Sequence, residues 1–145
     1  MKVSTKGRYA LRLMLDLAQF SSGEHISLKE ISARQAISVK YLEQIVPLLV
    51  KDGLIQSTRG SSGGYRLARR TGEYTVGEIL RAAEGSMSPI ACLDNNLGGC
   101  DRAAYCQTLP FWQGLDKTIA DYIDGVTLED LILQSQNIGT DNYVI

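Results

Sequence analysis

The chain has 145 residues, of which 44% are hydrophobic and 21% charged, so a disordered chain is excluded and one folded core is expected. The longest aliphatic run, Ile45 to Val50, is far shorter than the roughly 18 apolar residues of a membrane span, and no apolar signal segment follows Met1. The net charge of −1 hides a division, because residues 1–75 carry 12 basic and 6 acidic side chains, whereas residues 76–145 carry 3 and 10. We expect a soluble, cytoplasmic protein that binds a polyanion through residues 1–75 and is controlled or assembled through residues 76–145.

Three helices are predicted in the basic part of the chain. Apolar residues recur every three or four positions from Tyr9 to Ala18, which indicates an amphipathic helix. Ser27 and Glu30 have the spacing of a capping box and predict a second helix that ends near Gln35. After a tight link, Ser38 can cap a third helix. Two helices joined by so short a link are typical of a helix-turn-helix.

The hydrophobic pattern changes after the third helix. Two short β-prone runs, residues 54–59 and 65–67, flank a turn that contains three glycines, and this arrangement predicts a β-hairpin. Three helices followed by a hairpin are typical of a winged helix-turn-helix, whose third helix enters the major groove of DNA. We therefore predict a mainly α fold, with a DNA-binding winged helix-turn-helix in residues 1–75.

The acidic part predicts three further helices and one long loop. A fourth helix is predicted from Thr75 to Gly85, and residues 86–107, which show no periodicity, are predicted to form a loop. Pro110 begins a fifth helix, a short last helix follows Thr127, and residues 137–145 are predicted as a loose tail. The fifth helix carries more apolar residues than a small domain needs for its own core, which predicts a long dimerisation helix and a homodimer: Phe111, Leu115, Ile119, Tyr122 and Ile123.

Polar residues at the start of the third helix are suited to DNA readout. Gln44 can pair with adenine, Glu43 can accept a hydrogen bond from cytosine, and Lys40 can reach a phosphate or guanine. At the hairpin turn a guanidinium suits a narrow minor groove, and glycine permits close approach. The predicted DNA contacts are Ser38, Lys40, Tyr41, Glu43, Gln44, Arg59 and Gly60. A winged-helix domain that binds only proteins is the alternative, and it would need no arginine on the wing.

All three cysteines lie in the predicted loop. Cys92, Cys100 and Cys106 are separated by seven and five residues, and an odd number of cysteines does not fit a secreted disulfide framework. Three thiolates can hold an iron–sulfur cluster or zinc, or can act as redox-active thiols, and their spacing does not choose among these functions. The single histidine, His25, lies in a link between helices, so no nucleophile–histidine pairing supports catalysis and we predict that the protein is not an enzyme.

Four segments in combination carry a resemblance to a known family: residues 4–10, residues 37–44, residues 59–65 and the three-cysteine loop. They resemble the IscR-type iron–sulfur cluster regulators, within the winged-helix repressor family that also includes the NsrR and CymR regulators. The resemblance implies a homodimeric repressor of iron–sulfur cluster assembly genes that binds a palindromic operator in double-stranded DNA. It also implies a [2Fe-2S] cluster held by Cys92, Cys100 and Cys106. A repressor that responds to cysteine metabolism or nitric oxide, or a regulator that depends on redox thiols or zinc, is the alternative.

Two features depart from the IscR pattern. Seven residues, instead of five, separate the first two cysteines, and Leu109 stands where the pattern has a histidine. The fourth ligand is therefore left open among Asp94, Asp101, His25 and an exogenous thiolate. With that ligand open, a [4Fe-4S] cluster is the alternative cofactor.

Overall fold

The fold of the chain is given by a computed structural model that describes residues 2–95 and 98–141. In these residues the chain forms six α-helices and one two-stranded antiparallel hairpin, and the predicted winged helix-turn-helix is confirmed. The elements in chain order are α1 (Thr5–Phe20), α2 (Leu28–Gln35), α3 (Val39–Lys51), β1 (Ile55–Thr58), β2 (Gly64–Leu67), α4 (Val76–Glu84), α5 (Leu109–Gly125) and α6 (Leu128–Asp141).

Side-chain caps begin both helices of the helix-turn-helix, as predicted. The backbone N–H of Glu30 donates to Ser27 Oγ at 3.2 Å, and the Glu30 carboxylate accepts from the Ser27 backbone at 2.9 Å. These hydrogen bonds to the charged carboxylate lower the pKa of Glu30. Ser38 Oγ accepts from the backbone of Tyr41 at 3.1 Å and begins α3 in the same way. Local hydrogen bonds therefore fix where α3 begins. This helix, predicted to enter the major groove, is called the reading helix below.

A buried carboxylate ties α1 to the helix-turn-helix. Asp16 of α1 is 0% exposed, and Arg34 of α2 donates to both of its oxygens, at 2.7 and 3.0 Å. Gln35 donates to the same carboxylate at 2.9 Å, and its backbone carbonyl accepts from Arg12. The hydrogen bonds to Asp16 raise the pKa of Arg34. This network holds the end of α2 just before Ala36, which turns the chain into α3 with a left-handed φ of 53°.

One core joins the helices of both parts of the chain. Tyr74 is fully buried, and its hydroxyl donates to the carbonyl of Leu54 at 2.7 Å and accepts from the backbone of Arg69 at 2.8 Å, which closes the base of the hairpin. Ile79 of α4 and Leu128 of α6 are buried in this same core. Residues 1–75 and 76–145 therefore share a core. That the first range binds DNA and the second controls or assembles the protein stays a prediction.

The hairpin is attached along one side to the loop between α1 and α2. Its register pairs Ile55 with Leu67 and Thr58 with Gly64. The loop adds a short antiparallel bridge next to β2, where a Cβ atom at Gly64 would lie 2.4 Å from a backbone oxygen. Only glycine fits at this position, because any side chain would push the loop away from the wing.

The structure corrects one prediction in the acidic part and adds detail to another. The segment 86–107 is not wholly irregular, since it contains 3₁₀ turns at Ala91–Leu93 and Ala103–Tyr105. The loose tail predicted for 137–145 is wrong for residues 137–141, which continue α6, while 142–145 lie outside the described residues. α6 packs on α1, where Gln19 donates to Ser135 at 3.0 Å.

The apolar residues of α5 are divided between two directions. Ile119 and Ile123 pack against α4, and Ile123 is only 8% exposed. Phe111 and Tyr122 are 65% and 73% exposed, and Leu115 lies beside them. At 3.6 residues per turn, Phe111, Leu115 and Tyr122 lie within about 40° of one another around the helix axis. Ile119 and Ile123 follow, starting about 40° further around the axis. Ile119 and Ile123, two of the five residues on which the predicted dimerisation helix rests, are therefore covered within this chain, whereas Phe111, Leu115 and Tyr122 are not.

Candidate functional site

The start of α3 presents exposed polar side chains, of which Ser38 caps the helix and three have no partner within the described part of the protein. Ser38, Lys40, Glu43 and Gln44 are exposed. Within residues 2–95 and 98–141, the side chains of Lys40, Glu43 and Gln44 have no hydrogen bond or ion pair. Their spacing of three and four residues places them on one side of the helix. This surface can therefore receive hydrogen bonds from an external partner.

Tyr41 behaves differently from its polar neighbours. It is half-buried, and its ring meets Tyr9 of α1 edge-on, with centroids 5.2 Å apart. The guanidinium of Arg12 lies over the Tyr9 ring at 5.2 Å. Tyr9 thus supports the reading helix, a role that sequence reasoning missed because the helical spacing of Tyr9 fits the core stripe. Only the tertiary contact distinguishes the two roles.

The wing ends in an exposed arginine. Arg59 directly follows β1, is exposed, and has no hydrogen bond or ion pair within the described part of the chain. Gly60 adopts a φ of 112°, a conformation that L side chains rarely adopt, and its carbonyl accepts from the backbone of Gly63 at 3.0 Å. The turn is therefore narrow, with one free guanidinium at its start.

The three cysteines line one small cavity of about 110 Å³. Cys92 and Cys100 are exposed and Cys106 is half-buried. A hydrogen bond with the Cys100 thiol raises the pKa of Cys92, whereas hydrogen bonds to Thr108 lower the pKa of Cys106. The Cys106 sulfur lies 3.4 Å from the Thr108 hydroxyl. Seven and five intervening residues thus do not keep the thiols apart.

The rest of the cavity wall bears on the fourth ligand. Leu109 lines the cavity, so the position at which the IscR pattern has a histidine does face the thiols. Asp94, Asp101 and His25 are not among the lining residues. Among the described residues, no group of three His, Cys, Asp or Glu side chains is arranged to hold a metal ion. This finding includes the three cysteines, whose thiols are not arranged as a metal site in this structure. Their soft sulfur atoms do match the donor chemistry of an iron–sulfur cluster, and three of them leave one ligand position to be filled.

Comparison with known proteins assigns the chain to a family. The family model for Rrf2, described as an iron-dependent transcriptional regulator, matches residues 3–134. The chain belongs to the Rrf2 family.

Curated Rrf2-family relatives match over most of their length. The protein rrf2 of Nitratidesulfovibrio vulgaris is 39% identical over 132 residues, which cover 91% of this chain and 87% of that protein. The HTH-type transcriptional regulator IscR of Vibrio cholerae is 37% identical over 136 residues, which cover 94% of this chain and 78% of that protein.

Solved structures of the Rrf2 family share the fold. CymR, the global cysteine regulator of B. subtilis, matches with a TM-score of 0.74 and 35% identity over 92% of this chain and 98% of its own. IscR of T. potens matches with the same TM-score and 38% identity over 93% of this chain and 88% of its own. This Rrf2 protein is a DNA-binding transcriptional regulator and not an enzyme. None of the helices in residues 2–95 and 98–141 is long and apolar enough to span a membrane.

Proposed function

We propose that this Rrf2 protein is a repressor of iron–sulfur cluster assembly genes that senses a [2Fe-2S] cluster held by Cys92, Cys100 and Cys106. The observation that carries the proposal is the cavity of about 110 Å³ that all three thiols line. The IscR-named relatives support it, and the CymR structures support the alternative of a repressor of cysteine metabolism. The grouped thiols favour the cluster, since a repressor controlled by a partner enzyme needs no converging cysteines.

The residues around the thiols suit a sensor. A bound cluster would supply a centre that oxidants can alter. Leu109 and Trp112 give the cavity an apolar wall, which limits the access of water from one side. Cys92 and Cys100 are exposed to solvent. A cavity with apolar lining and exposed thiols could retain a bound cluster and still admit small oxidants. A purely structural metal site does not need to admit oxidants.

A hydrogen-bonded path leads from the cysteine loop towards the DNA-binding part. Glu84 ends α4 directly before the loop, and its carboxylate accepts from the backbones of Ser4 and Gly7 at 3.0 Å. Glu84 therefore caps the first turn of α1, in which Gly7 lies two residues before Tyr9. Arg81 of α4, before the loop, donates to both oxygens of Asp124 in α5, after the loop, at 2.7 and 3.0 Å. Ordering of the loop can be transmitted to the reading helix through these contacts.

Anaerobic purification tests the cofactor directly. We expect a visible chromophore with about two iron and two acid-labile sulfide per chain, as the formula of a [2Fe-2S] cluster requires. About four iron and four sulfide per chain would show that the cofactor is the alternative [4Fe-4S] cluster. Stoichiometric zinc without a chromophore would contradict cluster sensing and favour the zinc-dependent regulator.

The DNA-binding part is proposed to read a palindromic operator from both grooves. The exposed face of α3 enters the major groove, with Ser38, Lys40, Tyr41, Glu43 and Gln44 as its contacts. The wing places Arg59 and Gly60 at the adjacent minor groove. The support for this arrangement comes from four exposed side chains that have no partner within the described residues: Lys40, Glu43, Gln44 and Arg59.

Arg59→Ala and Glu43→Ala are expected to have different effects on operator binding, the first on affinity and the second on sequence specificity. Loss of the Arg59 guanidinium should weaken operator binding by about 1–3 kcal/mol, the range of one specific DNA contact. Loss of the Glu43 carboxylate should mainly reduce sequence specificity. The carboxylate is repelled by DNA phosphates in every complex, and this repulsion is offset only where a base offers a hydrogen-bond donor to the carboxylate. Titrations on operator variants at fixed salt measure both effects, with Lys117→Ala on α5 as the control. Equal losses of affinity for all sequences in Glu43→Ala would contradict the role of Glu43.

The uncovered face of α5 is proposed to pair with a second copy of the chain. Phe111, Leu115 and Tyr122 form this face. Pairing would set two reading helices about 34 Å apart, the spacing of successive major grooves on one side of a palindrome.

Tyr122→Asp is expected to shift the monomer–dimer equilibrium towards monomer by about tenfold or more, because it places a charge at a buried contact. Sedimentation at micromolar concentration measures the shift. Lys117→Ala, on another side of the same helix, should leave the dimer unchanged. A wild-type monomer that binds its operator specifically would exclude this interface.

A further inference from the structure

The single histidine lies against the wing. Nε2 of His25 is 2.7 Å from Oγ1 of Thr58, which is a hydrogen bond across 33 positions of sequence. His25 is half-buried in the loop between α1 and α2. Thr58 is the last residue of β1, and Arg59 follows it directly. The histidine therefore holds the strand at the point where the chain leaves it.

Two other contacts attach the same loop to the opposite strand. Ile26 and Tyr65 exchange both backbone hydrogen bonds at 2.8 Å. Arg66 of β2 donates to the carbonyl of Gly23 at 3.5 Å. In the described residues, the contact of His25 is the only hydrogen bond from this loop to β1. Without it, the loop would hold the wing through β2 alone.

The tip beyond Thr58 has little support of its own. Between Arg59 and Gly63, the turn is closed by the backbone hydrogen bond from Gly63 to Gly60. The Arg59 side chain has no partner in the part of the chain that the structure describes. The direction in which Arg59 leaves the sheet is consequently set by how firmly Thr58 is held.

We infer that His25 is a positioning residue for the wing: its hydrogen bond to Thr58 fixes the direction of Arg59. A tip that is already oriented loses less conformational entropy when it binds, and operator affinity rises accordingly. The inference rests on the DNA contact proposed for Arg59.

Operator titrations of three variants test this role. His25→Leu removes the hydrogen bond, Thr58→Val removes the hydroxyl and keeps the branched shape, and His25→Gln retains a polar group at the position of Nε2. We expect His25→Leu and Thr58→Val each to weaken operator binding about 2- to 10-fold, the range that one neutral hydrogen bond supports. The double variant should lose no more than either single variant. His25→Gln should recover most of the affinity.

The Arg59→Ala background separates positioning from general stabilisation. In that background His25→Leu should cost no further affinity, because the side chain that it orients is absent. Ser22→Ala, in the same loop and with no side-chain partner among the described residues, is the matched control and should bind as the wild type does. Thermal midpoints of all variants show whether the fold itself has weakened.

The outcomes distinguish the inference from the function on which it rests. If Arg59→Ala leaves operator affinity unchanged, the proposed DNA contact of the wing fails. If Arg59→Ala weakens binding and His25→Leu does not, the positioning role is overturned. An equal loss from His25→Leu with and without Arg59 also overturns it, because the histidine would then only stabilise the fold.

Discussion

Replacement of Cys92, Cys100 and Cys106 together by alanine is expected to reduce bound iron and sulfide to background and to remove the visible chromophore. All three cysteines line one cavity, and they are the residues proposed to hold the cluster. The fold should survive, because none of the three residues belongs to the buried core. Metal analysis together with far-ultraviolet circular dichroism checks both parts of this expectation.

A matched control lies in the same loop. Tyr105 is 83% exposed and is absent from the cavity that the three cysteines line, so Tyr105→Ala should retain iron at the wild-type ratio. Iron retained in the triple cysteine variant would mean that other ligands bind it. The cysteine site would then have to be abandoned.

Arg34→Ala is expected to be the most destabilising exchange of a charged surface residue. It leaves the Asp16 carboxylate, 0% exposed, with Gln35 as its remaining hydrogen-bond partner. An uncovered buried charge costs about 3–5 kcal/mol, and we expect the lower end because Gln35 keeps its contact. Urea unfolding measures the change in the free energy of unfolding.

Two further variants make this second expectation specific. Asp16→Asn in the Arg34→Ala background should restore part of the lost stability, since a neutral amide leaves no uncovered charge. Lys117→Ala breaks an exposed ion pair with Asp121 and should change stability by less than about 1 kcal/mol. If Arg34→Ala shifted the midpoint no more than Lys117→Ala, the buried network would not hold α1 to α2.

The helices could be predicted from sequence because the residues that cap their N-termini lie next to them in the chain. Ser27, Ser38 and Thr75 each accept a hydrogen bond from a backbone N–H three residues on, and this geometry needs no information from distant parts of the chain. The hairpin was likewise predictable from its glycine turn. The helix-turn-helix and its wing followed from the order of these elements.

Features that depend on distant partners could not be predicted in this way. Periodicity shows that a residue on α5 is apolar, but it does not show that α4 covers Ile119 and Ile123 and leaves Tyr122 exposed. The contact of Gln19 with Ser135 of α6 joins residues 116 positions apart, and the partner of His25 lies 33 positions away. The spacing of the cysteines does not fix the path of the loop, so it could not show that the thiols share one cavity.

Cluster binding is proposed to control DNA binding. One measurement tests it most directly: titration of a single operator duplex, selected from random DNA by the protein, with one anaerobic preparation before and after chelation of its iron. At fixed salt the two dissociation constants should differ by roughly 5- to 150-fold, the range of a coupling free energy of 1–3 kcal/mol. Superimposable curves from the iron-loaded and iron-free protein would contradict the account.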